Sequence, residues 1–119
     1  MKEESRESES WMSDVAIGEG DLDGNGVYAK RNFRKGEVVI KYKLKPLTEA
    51  EFENLPESEK MFTHGHRGVT HLYSVPERYV NHAEVPNTYQ DLTRNCDVAL
   101  RDIREGEMIT TDATKDNIP

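Results

Sequence analysis

Asn81 and His82 stand side by side in the run Arg78-Tyr79-Val80-Asn81-His82, which Pro86-Asn87 closes a few residues later. Tyr79 and Val80 lead into the pair, so its polar groups are delivered where apolar neighbours should bury them, and buried polar groups must find partners. A bound small molecule can be that partner, which makes the pair a candidate ligand site. Earlier in the chain, Gly18 to Gly26 packs four glycines into nine residues and reads as turn or loop. Within it, Gly24-Asn25-Gly26 offers bare backbone to close approach by a ligand, although an ordinary hairpin turn explains the same residues. Asp21, Asp23 and Asn25 alternate as the first ligands of a calcium loop do, but the twelfth residue from Asp21 is Asn32 where the closing glutamate belongs. His64, His66 and His71, with His82 a distant fourth, raise a metal hypothesis. They form no zinc pattern by spacing and have no companion carboxylate, so exposed loop histidines are the stronger reading and no metal is expected. Cys96 could pair with His82 as a nucleophile, but nothing in the sequence activates its thiol.

These groups belong to a chain of 119 residues, the length of one domain with a small core. Its 23 acidic and 16 basic side chains give a formal net charge of -7. A nucleic-acid partner needs a basic face that releases counterions, so no direct nucleic-acid binding is expected, and a basic peptide is the better electrostatic match. Cys96 is the single cysteine, which excludes an intramolecular disulfide and a C-x-x-C structural zinc site. That usage points to a cytoplasmic setting, or a nuclear one in a eukaryote. The Ser/Glu-rich start, residues 1–12, has no apolar h-region. It reads as a disordered acidic tail rather than a secretion signal or membrane anchor, leaving residues 13–119 as a single domain. Self-association as a homodimer is left open.

Elements that would position the candidate groups are short. Val15 to Ile17, Val27 to Lys30, Glu37 to Leu44, Leu72 to Val75, Asp97 to Arg101 and Met108 to Asp112 read as strands. Thr48 can cap a helix between Pro46 and Pro56, with Glu51 completing a capping box. From Ser58 to His71 periodicity is lost, and Thr63 to Gly68 reads as a loop. An internal echo is informative: Ala29 to Ile40 aligns without gaps on Ala99 to Thr110, with alanine, two arginines, glycine and glutamate coinciding. Both blocks read strand, turn with Gly, strand, so one turn unit is used twice. The fold class is mostly β, with one or two small helices.

The two blocks and the Asn-His segment between them resemble a SET domain, the fold of protein-lysine methyltransferases. Gly24-Asn25-Gly26-Val27-Tyr28-Ala29 resembles the family's G-x-G-V-(F/Y)-A opening, and Lys35 to Tyr42 resembles its K-G-E-x-I-x-E-Y strand. Arg78 to His82 with Pro86-Asn87 resembles R-(F/Y)-I-N-H-S-C-x-P-N, and Ala99 to Thr110 resembles A-x-R-D-I-x-x-G-E-E-I-T. The likeness runs from about Val15 to Ala113 in family order. It implies a β-clip of several short curved sheets whose carboxy-terminal segment threads beneath a loop near Asn81-His82, a pseudo-knot that is rare among folds. It also implies S-adenosylmethionine held by Gly24, Asn25, Gly26, Arg78, Tyr79, Asn81 and His82, and methyl transfer to a lysine of a basic protein.

Such chemistry needs a neutral amine in line with a sulfonium methyl. With a free pKa near 10.4, only about one lysine in a few thousand is neutral at pH 7, a penalty of roughly 4 to 5 kcal/mol. An apolar channel and a nearby sulfonium lower that pKa, so aromatic walls and no counter-ion carboxylate are expected, with no dedicated base. Tyr42 and Tyr73 are the candidate catalytic residues lining the channel. The sequence departs from the family where F-D-Y is usual: it reads Thr111-Asp112-Ala113, so the terminal tyrosine is missing. Ala83 and Glu84 replace Ser and Cys after Asn-His, and the cysteines of the flanking zinc module are absent, with only Lys115 to Pro119 to replace its lid. The alternative function is a non-catalytic SET-like binding module.

Overall fold

The computed structural model describes residues 10–66 and 68–112. A 3-10 turn, Ser10–Ser13, leads into β1 (Val15–Leu22) and β2 (Asn25–Ala29), followed by β3 (Val38–Lys41) and β4 (Lys45–Leu47). Two short helices, α1 (Glu49–Glu53) and α2 (Glu57–Lys60), precede the hairpin of β5 (Thr63–His66) and β6 (Val69–Leu72). A second 3-10 turn, Glu77–Tyr79, opens onto β7 (Asn81–His82), and β8 (Thr88–Asp91), β9 (Cys96–Ala99) and β10 (Met108–Thr111) complete the order. The strands form three small sheets, β1-β2-β10-β7, β3-β9-β8 and β4-β6-β5. Val15, Val27, Phe33, Ile40, Ile103 and Ile109 fill the core between them. Among the described residues no helix is long and apolar enough to cross a membrane.

The expected mostly-β architecture is present, and Thr48 caps α1 through the reciprocal capping box, with Thr48 Oγ1 accepting from Glu51 N–H and Glu51 Oε1 from Thr48 N–H. Several expected elements need correction. The glycine run is not a loop: β1 continues through Gly18 and Gly20 and pairs with β2 across Asp23-Gly24, whose φ angles of 55° and 81° form a two-residue hairpin turn. Glycine is required within the strand because a Cβ on Gly20 would sit 2.4 Å from the Asn25 carbonyl oxygen. The Ser58–His71 stretch is α2 and the β5–β6 hairpin, whose alternation is carried by Thr, His and Gly and so shows no apolar period. The long strand expected from Glu37 to Leu44 ends at Lys41, and β4 joins a different sheet. Trp11 packs against the core, so ordered packing starts ahead of the boundary placed at residue 13.

The sequence echo is an internal two-fold. Phe33 and Ile103 bridge reciprocally, each N–H donating to the other's carbonyl at 2.7 and 2.9 Å. Gly36 N–H donates to Ala99 O while Gly106 N–H donates to Ala29 O, and Lys35 N–H reaches Asp102 Oδ1 while Glu105 N–H reaches Asn32 Oδ1. Glu37 caps Arg34 N–H as Glu107 caps Arg104 N–H. Each turn is therefore completed by groups from the other.

Gly36 and Gly106 hold equivalent left-handed positions, φ 91° and 95°, with open space where a Cβ would go. Strain alone then sets the cost of alanine. Gly36→Ala and Gly106→Ala should each lose about 1 to 2 kcal/mol in urea unfolding, and by similar amounts; unequal losses would show that the two turns are not energetically equivalent.

Candidate functional site

Strand β10 is the spine of the site. It pairs antiparallel with β2 on one edge and parallel with β7 on the other, setting Thr110 against Asn81 and Thr111 against His82. Beyond β7 the chain wraps over it: Ala83 N–H donates to Thr111 O, Thr88 Oγ1 to Thr110 O and Asn87 Nδ2 to Met108 O, while Asn87 Oδ1 accepts from Thr110 N–H at 2.8 Å. The carboxy-terminal strand thus passes beneath the 81–88 segment, the threading that the resemblance implies.

Asn81 joins the two regions picked out in the sequence. It is buried, its Oδ1 accepts from Asp21 N–H at 2.7 Å, and its Nδ2 donates to Asn25 O at 3.0 Å and Tyr79 O at 2.9 Å. Its amide is thus spent on tethering the tip of the β1–β2 hairpin. Gly24 sits at that tip with open space beside it, whereas Gly26 is buried, a Cβ there lying 3.0 Å from Glu19 O and from the Met108 methyl. His82 is exposed, its Nδ1 3.7 Å from Asp112 Oδ1.

The other expected ligands are placed differently. The Arg78 guanidinium is committed to Glu59 (3.1 and 3.2 Å) and the Tyr73 carbonyl and lies over the Phe62 ring, 4.6 Å from its centroid. Tyr79 meets the edge of Phe62 at 5.6 Å. Tyr42 and Tyr73 do come together, ring centroids 6.0 Å apart, and His64 stacks on Tyr73. His64 faces His71 across the β5–β6 hairpin rather than lying in a loop. Among the described residues no cluster of three or more His, Cys, Asp or Glu could hold a metal. Cys96 is buried, and that burial pushes its thiol pKa up, opposite to the shift a nucleophile needs.

A buried carboxylate stands behind one of the two candidate tyrosines. Tyr42 Oη donates a hydrogen bond to Asp97 Oδ1 on β9, and Asp97 is fully buried. Burial, opposed by the Tyr42 bond and reinforced by the charge of Glu77, pushes Asp97 up to about 7. Glu77 is buried as well; its Oε2 accepts from Lys43 and Ser74 N–H while Oε1 is unpartnered, and desolvation raises its pKa too. The sequence signal was available: Asp97 is the one charge in Cys96-Asp97-Val98-Ala99, a strand buried along its whole length.

A cavity of about 210 Å³ opens on the other edge of the site, lined by Glu84, Pro86, Thr88, Gln90, Thr111 and Asp112 among others. It shares Asp112 with the His82 corner and carries two carboxylates, Glu84 and Asp112. Ala113 and Lys115 to Pro119, singled out for the missing tyrosine and the lid, lie outside the described residues.

A SET-domain family model matches residues 24–112, most of the chain. The chain belongs to the SET-domain family. No curated protein matches its sequence. Among solved structures it is similar to a proposed histone methyltransferase of Plasmodium falciparum, with a TM-score of 0.65 at 20% sequence identity over 83% of this chain and 91% of that one. The architecture is that of a lysine methyltransferase-like fold.

Two stability tests follow from this geometry. Asn81→Asp keeps the acceptor for Asp21 N–H but turns a second oxygen toward two carbonyls, so it should cost at least as much as Asn81→Ala, about 2 to 4 kcal/mol, and recover as the carboxyl protonates. Urea unfolding across acid to neutral pH reads both. For Asp97, a carboxyl raised from 3.8 to about 7 binds more protons folded than unfolded between those values, so its contribution is greatest below about pH 4 and falls as pH rises to 7. Relative to Asp97→Asn, the native chain should lose on the order of a few kcal/mol across that window; parallel pH profiles for the two chains would contradict the assigned shift.

Proposed function

We propose that the chain is an S-adenosylmethionine-dependent methyltransferase acting on a lysine side chain in a basic protein segment. The observation that carries this reading is the Asn81 tether, which fixes the hairpin tip against the Asn81-His82 corner one strand away from the acidic cavity. The corner suits the cofactor's chemistry: Asp21 and Asp23 are exposed carboxylates that match its cationic groups, His82 offers an exposed ring, and Gly24 leaves the backbone open. S-adenosylmethionine, when bound, supplies an electrophilic methyl on a sulfonium. The chain's own contribution is to orient it, to admit a lysine past Glu84 and Asp112, and to align amine and methyl, from which most of the rate gain must come.

A second reading, a binding module without turnover, is favoured by Ala113 standing where the family has its tyrosine. Calorimetric titration with S-adenosylmethionine separates these together with transfer of labelled methyl to a lysine-rich protein. The methyltransferase reading expects cofactor binding that weakens at least about tenfold in Asn81→Ala, roughly 1.4 kcal/mol, and label in lysine. Binding without label supports the module, and no heat from the native chain would end the methyltransferase reading.

A further inference from the structure

The segment from β4 to β6 contributes little to the core. Of its described residues, Lys45 to Leu72, none joins the main core cluster, and Phe62 is the one buried hydrophobic side chain. Helix α1 buries no residue and is five residues long, far short of the ~12 to 15 at which a helix holds without packing. The capping box fixes its start, but Phe52, its large apolar side chain, is only partly buried. A groove of about 380 Å³ opens beside it, lined by Leu47 of β4, Phe52 and Val69 of β6, together with Glu49 and Glu53. Val69 is 40% exposed and Leu47 partly buried, so an apolar face stands open to solvent.

Charge says what suits that face. Five glutamates lie on α1 and α2. Three have partners: Glu51 in the capping box, Glu57 with Lys60, and Glu59 with Arg78. Glu49 and Glu53, the two that line the groove, have no ion pair or side-chain hydrogen bond among the described residues. Lys60 is committed to Glu57 and to the Phe52 ring, 5.3 Å from its centroid. Glu49 and Glu53 stand one helical turn apart on the same surface, where like charges repel. Cations brought to them relieve that repulsion, and an apolar side chain carried with those cations covers Phe52 and Val69.

We propose that the α1 groove is a docking surface for an extended basic segment of a partner protein, with cations at alternate positions and an apolar anchor on the same side. Helix neighbours at this spacing have Cβ atoms about 5 to 6 Å apart. Alternate side chains of an extended chain share one side and lie about 6.7 Å apart, so two cations match the two carboxylates. The next residue on that side brings the anchor to the groove. A second copy of the chain would bring a net charge of -7 to an acidic rim, and nucleic acid or an anionic membrane has the same wrong sign. The groove shares no lining residue with the cavity of Glu84 and Asp112. The docking surface therefore goes beyond the methyltransferase reading and serves a binding module equally.

Fluorescence anisotropy with a labelled peptide, Gly-Ser-Arg-Ala-Arg-Ala-Leu-Ser-Gly, tests this. The peptide has no lysine, so it reads docking alone. The native chain should bind it, less tightly as salt rises. Glu49→Lys combined with Glu53→Lys should weaken binding at least about tenfold, and Phe52→Ala by a similar factor. Should Phe52→Ala lose its native circular dichroism, Val69→Ser, at an exposed position, takes its place. No binding by the native chain, or binding that the double charge reversal leaves intact, overturns the assignment. Loss of binding only in Glu84→Gln with Asp112→Asn would put the peptide in the other cavity and overturn it as well. So would sedimentation showing that Phe52→Ala breaks a dimer, since the occupant would then be a second copy. No methyl transfer is measured, so each of these failures leaves the methyltransferase reading standing.

Discussion

Everything at the site depends on β10 being gripped along both edges. A strand in the middle of a sheet normally satisfies its backbone with two neighbouring strands, but β7 is two residues long and supplies little ladder. Side chains make up the shortfall: Asn87, at the end of the segment that crosses over the strand, and Thr88, which opens β8, bond to Met108 and Thr110. Because Ile109 and Thr111 are buried, an unmatched carbonyl or amide here would carry its full desolvation cost, about 1 to 3 kcal/mol each. The grip in turn sets where His82, Asp112 and the cavity wall lie. Asn81 extends the same logic outward, fastening the hairpin tip to the corner.

Much of this fold was readable because it is local or repeated. The capping box at Thr48 needs only four consecutive residues, and the echo between Ala29–Ile40 and Ala99–Thr110 announced two equivalent turns. Glycine misled where its role was clearance rather than flexibility. Gly18 and Gly20 break the appearance of a strand, yet they let β1 lie against Tyr28 and Asn25. The β5–β6 hairpin was illegible for the opposite reason. Its strands read Thr-His-Gly-His and Val-Thr-His-Leu, and the described side chains of β6 are exposed or only partly buried, so alternation buries no apolar row that a reader could see.

The site was legible as a place but less so as a set of contacts. Asn81 emerged from its sequence company as a candidate ligand, and the structure spends its side-chain amide on the backbone of Asp21, Asn25 and Tyr79. Arg78 carries the same motif but spends its charge on Glu59 and the Phe62 ring, an arrangement between residues far apart in the chain that spacing cannot reveal. Tyr42 and Tyr73, expected to line a channel, stand with their ring centroids 6.0 Å apart. The partner of Tyr42 was missed because the reading asked for an apolar wall and passed over a lone carboxylate in a buried strand. Asp97 marks where this chain solves its own local problem, a polar interior that a general family pattern does not contain.

The reciprocal turns also bear on how the molecule comes into being. Lys35 waits for Asp102 and Glu105 for Asn32, pairings separated by 67 and 73 positions. Neither half can therefore complete its hydrogen bonding while the other is still inside a ribosome, and closing such distant pairs is slow compared with forming a helix. During synthesis the first half must wait with its turn unfinished and its hairpin tip untethered, a state open to chaperones and to pairing with neighbouring nascent chains.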